Sequence, residues 1–265
     1  MIDIAIQNNH LSIELGGGFS FLLQYNRDRK SAEDVEILNF APGTISGDPG
    51  EVSRLAQLPA KSLNLSWVNR KFVVIPDPLF HKDHARTLLE LNCGLKDDEE
   101  VYTMPLPEIS AQLVFASSLA RIRTLQKKHP YLRQTHVAGH FLHVCMESKG
   151  PSERIHLSVY PELFLLCAFR EGRMVFLNAY PHHSPEDVIY FLLYTCDQLA
   201  LNPHEIPVLL SGEIQENDAL FQTLSKYTGD LQFMLQPRNI AFEGPMKLIK
   251  PHRFLHPTDQ FRCAL

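Results

Sequence analysis

The chain has 265 residues, a hydrophobic content of 45% and a net charge of −5 at pH 7. This length allows two domains of ordinary size, and the apolar content is sufficient for full cores. The acidic balance argues against a nucleic-acid-binding protein, which carries a strongly basic surface. No apolar run is long enough to span a membrane.

The cysteines and the N-terminal sequence indicate a compartment. The five cysteines are scattered and form no Cys-x-x-Cys pair. The first residues show neither the basic region nor the apolar core of a signal peptide. We therefore expect reduced thiols in a cytoplasmic protein.

The first half of the chain predicts an α/β unit. Apolar segments on both sides of Gly16-Gly17-Gly18 predict a hairpin, because glycine tolerates the backbone angles of a tight turn. A capping box at Asp48-Pro49-Gly50-Glu51 predicts a short helix. Strands are predicted at Leu11–Leu15, Phe19–Tyr25, Val35–Phe40, Lys71–Ile75, Val101–Met104 and Leu113–Ala116, and helices at Asp83–Leu91, Ser117–His129 and near Ala138–Glu147. Leu132–His136 is a further candidate strand.

The second half predicts a similar order of elements more clearly. His156–Tyr160, the nearly continuous apolar run Leu163–Phe169 and Met174–Ala179 predict an antiparallel meander. The meander is followed by a capped helix from Ser184, the strand Val208–Gly212, a helix carrying Leu220–Tyr227 and the strand Leu231–Leu235. Strands that alternate with helices indicate parallel pairing through right-handed crossovers.

A polar segment rich in turn formers, Lys149–Ser152, is the best candidate for a boundary between two lobes. We predict a first lobe at residues 1–150 and a second at 151–265. The proline-rich segment from Pro237 onward is predicted to be an irregular tail.

Three segments resemble an uncharacterised bacterial family, the domain of unknown function numbered 3822. They are Ser184–Ile214 (SPEDVIYFLLYTCDQLALNPHEIPVLLSGEI), Gly18–Leu23 (GFSFLL) and Val73–Phe80 (VVIPDPLF). The resemblance implies an α/β fold with two ribonuclease H-like lobes of the actin-like ATPase type. Each lobe would be a mixed sheet, an antiparallel meander plus parallel strands, flanked by helices. The resemblance implies no established activity.

Such a fold directs attention to residues that could hold a nucleotide. Gly16, Gly17 and Gly18 could offer backbone N–H groups to phosphate, with Glu14 as a nearby carboxylate. The alternative is an ordinary glycine turn beside a solvent-facing Glu14. Ser211 and Gly212 resemble part of an adenosine motif, but Glu213 replaces its second glycine, which would repel phosphate. The alternative is a strand-to-helix turn that needs one glycine.

The equivalent hairpin of the second half, Tyr160-Pro161-Glu162-Leu163, is poorly suited to phosphate because proline has no N–H donor. The predicted function is therefore a non-catalytic binding or scaffold protein on a degenerate actin-like fold, with a protein partner or self-association. The alternative is a nucleotide-binding ATPase or kinase-like enzyme with altered phosphate motifs. No cofactor is expected under the first hypothesis, and ATP with Mg²⁺ under the second.

Other chemistry is less well supported by the sequence. A nuclease would need clustered carboxylates, for which Glu14, Glu51 and Asp77 are loose candidates. The spacing of His136, His140 and His143 would suit a Zn²⁺ site on one helix, or partly exposed histidines on a helix face. His252 and His256 are predicted to pack on the surface of the tail.

One predicted helix has a basic face, formed by Arg121, Arg123, Lys127 and Lys128. A solvated face is the simple interpretation, and an acidic partner is the alternative.

Overall fold

The computed structural model describes residues 9–39, 60–235 and 240–262. As far as they are described, residues 9–140, 240–248 and 257–262 form one compact unit, unit 1, and residues 141–235 and 249–256 form unit 2. The lobe boundary predicted at residues 150 and 151 falls within unit 2 and stays a prediction.

The described strands, in chain order, are β1 (Asn9–Leu15), β2 (Phe19–Asn26), β3 (Ser31–Asn39), β4 (Ser62–Trp67), β5 (Phe72–Pro76), β6 (Glu99–Leu106), β7 (Ala111–Ser118), β8 (Arg133–His136), β9 (Arg154–Val159), β10 (Leu163–Arg170), β11 (Arg173–Pro181), β12 (Pro207–Gly212), β13 (Asp230–Phe233) and β14 (Ala241–Phe242). The described α-helices are α1 (Ala85–Cys93), α2 (Leu119–Lys128), α3 (Val137–Glu147), α4 (Pro185–Gln198), α5 (Ala219–Tyr227) and α6 (Leu255–Arg262).

The main sheet of unit 1 has the order β14-β3-β2-β1-β4-β8. β1, β2 and β3 are antiparallel, whereas β4 pairs in parallel with β1, and β8 with β4. A second sheet with the order β5-β7-β6 packs the apolar side chains of one face against α1. Its central strand β7 is largely buried, which explains its apolar sequence.

The sheet of unit 2 has the order β11-β10-β9-β12-β13 and the same pairing directions as β3-β2-β1-β4-β8. The two sheets also share a detail of register. The pairing of β2 with β3 shifts between Gln24 and Tyr25, and the pairing of β10 with β11 shifts between Ala168 and Phe169. The predicted repeat of one α/β unit, with its parallel strands, is therefore confirmed.

Local signals explain why α4 begins where the sequence predicts. Pro185 occupies the first turn, where its missing N–H costs nothing. Asp187 Oδ2 accepts hydrogen bonds from the backbone N–H of Ser184 at 3.0 Å and of His183 at 2.8 Å. These bonds complete the predicted capping box and hold the pKa of Asp187 below its usual value.

The segment after residue 237 is not an irregular tail, as far as it is described. Ala241 and Phe242 extend the sheet of unit 1 by pairing with Ser31 and Ala32. Two 3₁₀ turns, Gly244–Leu248 and Pro251–Phe254, lead into α6. From residue 257 onward the helix belongs to unit 1, where the Phe261 ring stacks on that of Tyr25 with centroids 4.3 Å apart.

Several other predictions differ from the structure in their bounds. Strand β4 was not predicted, Ser117 and Ser118 belong to β7 rather than to a helix, and β13 ends at Phe233. Leu132–His136 is a strand over most of its length. The capping box at Asp48-Pro49-Gly50-Glu51 lies outside the described residues, as do Phe40 and Cys263 and the side chain of Arg121.

Candidate functional site

The glycine hairpin of unit 1 joins β1 to β2. The N–H of Gly16 donates to the carbonyl of Phe19 at 2.9 Å. A Cβ at residue 16 would lie 2.3 Å from the buried Phe19 ring, so packing alone requires this glycine. Gly17 and Gly18 are half-buried, and their amides are the ones that a phosphate would meet.

Glu14 is buried in β1 rather than exposed to solvent, which corrects the sequence-based expectation. It lies in register with Ser66 of the neighbouring parallel strand β4. A strand interior explains its burial, because β1 is covered on both faces and offers no solvent-facing position there.

The equivalent hairpin of unit 2 has little to offer a phosphate. The N–H of Tyr160 donates to the carbonyl of Leu163 at 2.8 Å, and Pro161 has no N–H. The Tyr160 hydroxyl lies 3.0 Å from Nδ1 of His256, and its carbonyl accepts from His182 Nε2 at 2.7 Å. The groups of this turn are thus used within unit 2.

Ser211 and Gly212 end strand β12. Gly212 has φ +81°, and a Cβ there would lie 2.1 Å from the carbonyl oxygen of Val159. The N–H of Glu213 donates to that same carbonyl at 2.8 Å. The glycine is therefore required by the close approach of two backbone segments. The Ser211 hydroxyl is buried and has no hydrogen-bond partner among the described residues.

The Glu213 carboxylate is held by Arg253. Arg253 Nε donates to Oε1 at 3.1 Å, and a terminal nitrogen of the same guanidinium binds Oε2. Such a two-point pair offsets the charge of the carboxylate. The ion pair therefore reduces the repulsion between Glu213 and phosphate that was expected from the sequence. The Glu213 side chain still occupies space that a glycine would leave open.

A pocket of about 360 Å³ lies within unit 2, at the carboxyl ends of the parallel strands β12 and β13. This is the end at which open α/β sheets bind ligands. Phe233 and His252 form its apolar part, with ring centroids 4.2 Å apart. Asn217 and Lys250 add polar groups, and Leu235, which is 88% exposed, lies at the rim.

His252 is buried in this pocket wall rather than on the surface. Its Nε2–H donates to the carbonyl of Ile214 at 2.8 Å, which fixes the ring. Burial is the main cause that lowers its pKa below the ordinary value of 6.5, so the ring is neutral at pH 7. A neutral ring stacked on Phe233 suits an apolar or aromatic ligand group.

Two further histidines were predicted on an exposed helix face, but His136 and His140 are buried. His136 ends β8, and only His140 and the half-buried His143 lie on α3. Among the described residues no group of three or more His, Cys, Asp or Glu side chains could hold a metal ion.

His140 takes part in a buried hydrogen-bond network that could not be predicted from the sequence, because Asp259 is far from His140 along the chain. Its Nδ1 lies 2.9 Å from Asp259 Oδ2, and its Nε2 lies 2.9 Å from Thr135 Oγ1. This is the geometry of a catalytic triad. All three side chains are buried, however, and Thr135 also donates to the Leu65 carbonyl, so these bonds hold the part of α6 that belongs to unit 1.

The predicted site residues thus fall in two places. Gly16, Gly17 and Gly18 belong to unit 1, and Ser211 and Gly212 belong to unit 2. Their joint use by one nucleotide stays a prediction. The Arg253 partner and the pocket wall at His252 were missed because both come from the segment that was predicted to be irregular.

The repeated sheets and their parallel crossovers define the actin-like ATPase fold. A protein of Bacteroides thetaiotaomicron described as having this fold and unknown function has 21% identity and a TM-score of 0.77, covering 88% of this chain and 94% of its own. The PilM–PilN type IV pilus biogenesis complex is similar at 12% identity and a TM-score of 0.63, covering 97% of this chain and 98% of its own.

This chain belongs to the family described as "Protein of unknown function (DUF3822)", whose profile matches residues 53–231. No curated protein matches the chain. None of the described helices is both long and apolar enough to span a membrane.

Proposed function

We propose that this protein is a binding or scaffold protein that keeps the actin-like fold and does not hydrolyse ATP. The β9–β10 hairpin carries the proposal. Its Tyr160 N–H is already bonded, Pro161 has no N–H, and neither residue leaves a cradle for a phosphate. The phosphates of a nucleotide would therefore meet few backbone donors at this hairpin.

A role in binding another protein agrees with one of the similar structures. The PilM–PilN structure is described as a complex of type IV pilus biogenesis. The likeness concerns the fold alone, so it supports assembly as a use of this fold and identifies no partner of this chain.

The second candidate is a nucleotide-binding ATPase or kinase-like enzyme that uses altered motifs. The pocket at the carboxyl ends of β12 and β13 favours it, because a stacked Phe233–His252 pair beside Asn217 and Lys250 could receive a planar ring with polar edges. Phosphate contacts at Gly16, Gly17 and Gly18 of unit 1 stay a separate prediction of this hypothesis, and Mg²⁺ would accompany ATP.

Calorimetric titration with ATP and Mg²⁺ distinguishes the two functions. The first predicts no heat of binding up to millimolar nucleotide and no release of phosphate. Micromolar binding would overturn it in favour of the second. Gly212 is unsuitable as the test position, since any side chain there collides with the Val159 backbone.

Leu235→Glu is the better variant for locating a nucleotide. Residue 235 is 88% exposed at the pocket rim, so the substitution preserves the fold while placing a carboxylate where a phosphate or base would approach. If ATP binds in the pocket, this variant weakens it. Leu248→Glu, at a residue that is 91% exposed and absent from the pocket wall, is the matched control.

We further propose a cytoplasmic location. The thiols of Cys145 and Cys167 are buried and free, and burial, followed by the neighbouring Cys167 thiol, raises the pKa of Cys145. Such a neighbouring pair is expected to remain reduced in a compartment that keeps thiols reduced. Cell fractionation tests this, and recovery of the protein from an oxidising compartment would contradict it.

A further inference from the structure

The outer surface of α4 carries a stripe that the core does not explain. Tyr190 is 63% exposed and Tyr194 is 51% exposed, although both are large aromatic side chains. Their rings stack with centroids 6.2 Å apart and an interplanar angle of 13°. Exposed aromatic pairs of this kind are typical of interaction sites.

Two carboxylates complete this surface, the α4 stripe, which consists of Glu186, Tyr190, Tyr194 and Asp197. Helical spacing places all four on one face, with an acid at each end. Glu186 and Asp197 are exposed and form no ion pair within the described part of the chain. Tyrosine faces and carboxylates together attract cationic side chains.

The C-terminal end of the neighbouring sheet edge is poorly suited to an added strand. Strand β11 lies at the edge of the unit 2 sheet, beside α4. The N–H of Ala179 is used by the side chain of Asn178 at 2.9 Å, and Pro181 has no N–H. Such features disfavour pairing with another chain at this end of β11. We therefore expect a partner of the stripe to dock through side chains.

The chain itself presents a complementary surface on α2. Arg123, Lys127 and Lys128 are exposed there, and helical spacing places Arg123 and Lys127 on the side opposite the buried Ile122 and Leu125. Residues four apart on a helix have side chains about 5–6 Å apart, which matches the separation of the two tyrosine rings. Arg123 and Lys127 can each face one ring while the flanking carboxylates pair with the cations.

We propose that the α4 stripe of one copy of this protein binds the basic face of α2 of a second copy. This inference rests on the proposed binding function and names its partner. Because the two surfaces differ, the contact is heterologous, and each copy keeps one free surface of each kind.

Sedimentation velocity over a range of protein concentrations tests the proposal, with the full chain in about 20 mM and about 500 mM salt, since salt screens such contacts. The wild type is expected to associate at low salt and to dissociate at high salt. Glu186→Lys with Asp197→Lys, or Arg123→Glu with Lys127→Glu, is expected to weaken association about tenfold or more.

An equal mixture of the two charge-reversed variants is the decisive sample. Each variant alone brings like charges together. In the mixture the reversed stripe meets the reversed α2 face, and the native α2 face of one variant meets the native stripe of the other, so association should be restored. Glu90→Lys with Lys226→Glu, at exposed sites outside both surfaces, is the matched control and should associate like the wild type.

Wild-type protein that stays monomeric at every concentration would overturn the proposal, as would a mixture that fails to associate when both variants are folded by circular dichroism. Neither result bears on ATP, so a failure of the proposed function, seen as nucleotide binding in the calorimeter, stays distinguishable from a failure of this contact.

Discussion

At the scale of single residues, a comparison of Gly212 with Gly172 distinguishes backbone strain at positive φ from a steric clash of the Cβ atom. Both Gly212 and Gly172 have positive φ, at +81° and +75°. A Cβ at residue 212 would meet the Val159 carbonyl at 2.1 Å, whereas one at residue 172 would meet nothing within 4 Å. The two positions thus carry the same backbone strain and differ in the steric clash.

Gly212→Ala is therefore expected to lower the free energy of unfolding by about 3 kcal/mol or more, because the strand end must move. Gly172→Ala should cost only about 1 kcal/mol, the strain of a left-handed alanine. Urea unfolding measured by circular dichroism checks both. Equal losses in the two variants would contradict the assigned clash.

Single residues also show where the sequence was informative. The pattern Ser211-Gly212 correctly predicts a strand that ends at a required glycine. Glu14 was wrongly predicted to face solvent, because a carboxylate within an alternating strand is normally read as the exposed partner. Only the covering of both faces of β1 buries it, and that depends on segments distant in sequence.

At the scale of elements, α6 is the part of the fold most poorly predicted. Its sequence contains a proline and several polar residues, and Thr258, Asp259 and Gln260 are all buried. No apolar periodicity marks such a helix. Strand β4 was missed for a similar reason, since its polar residues Asn64 and Ser66 are buried as well.

Phe261→Ala tests the packing of α6 in unit 1. Phe261 is 5% exposed and stacks on Tyr25, so its truncation is expected to cost about 3 kcal/mol. The single tryptophan, Trp67, lies in β4 of unit 1, and its fluorescence follows the unfolding of this unit. The urea midpoint should therefore fall.

Tyr131→Ala is the control for this substitution. Tyr131 is 97% exposed in the same unit, and its loss should change the free energy of unfolding by less than about 0.5 kcal/mol. A midpoint for Phe261→Ala as high as that of the control would show that the Phe261–Tyr25 contact does not stabilise unit 1.

At the scale of the whole molecule, buried neutral histidines make the fold sensitive to acid. Burial lowers the pKa of His136 to about 3 in unit 1, with a smaller effect from nearby His140. Burial and the charge of Arg154 lower the pKa of His156 to about 3 in unit 2. In the unfolded chain both titrate near the ordinary value of 6.5.

Below pH 6.5 both histidines are therefore protonated in the unfolded state but remain neutral in the folded state. The stability from each histidine is complete above that pH and is lost as the pH falls towards 3. At pH 5 the loss is about 2 kcal/mol per histidine. In His136→Gln, the difference in unfolding free energy between pH 7 and pH 5 should shrink by about this amount, measured by Trp67 fluorescence.

His81→Gln is the matched control, because it makes the same substitution at an exposed position of the same unit. If His136→Gln retained the full wild-type loss between pH 7 and pH 5, then His136 would not be the group that takes up the proton on unfolding.

The overall architecture was the most predictable level. A three-stranded meander followed by alternating helices and strands repeats along the chain, and periodicity and turn residues record that order locally. The pocket and the α4 stripe could not be found in this way. The pocket wall depends on His252, far along the chain from Phe233, and the stripe depends on which helix face the core leaves uncovered.

The division of the C-terminal segment between units has a consequence for biosynthesis. Residues 257–262 complete unit 1 by supplying Asp259 and Phe261, yet ribosomes translate them after every strand of unit 2. At ~5–20 residues per second, His140 waits roughly ten seconds for its carboxylate partner. Unit 1, whose first strands are made first, is thus completed last. Until the C-terminal segment is translated, its sheet lacks β14 and the unit lacks α6.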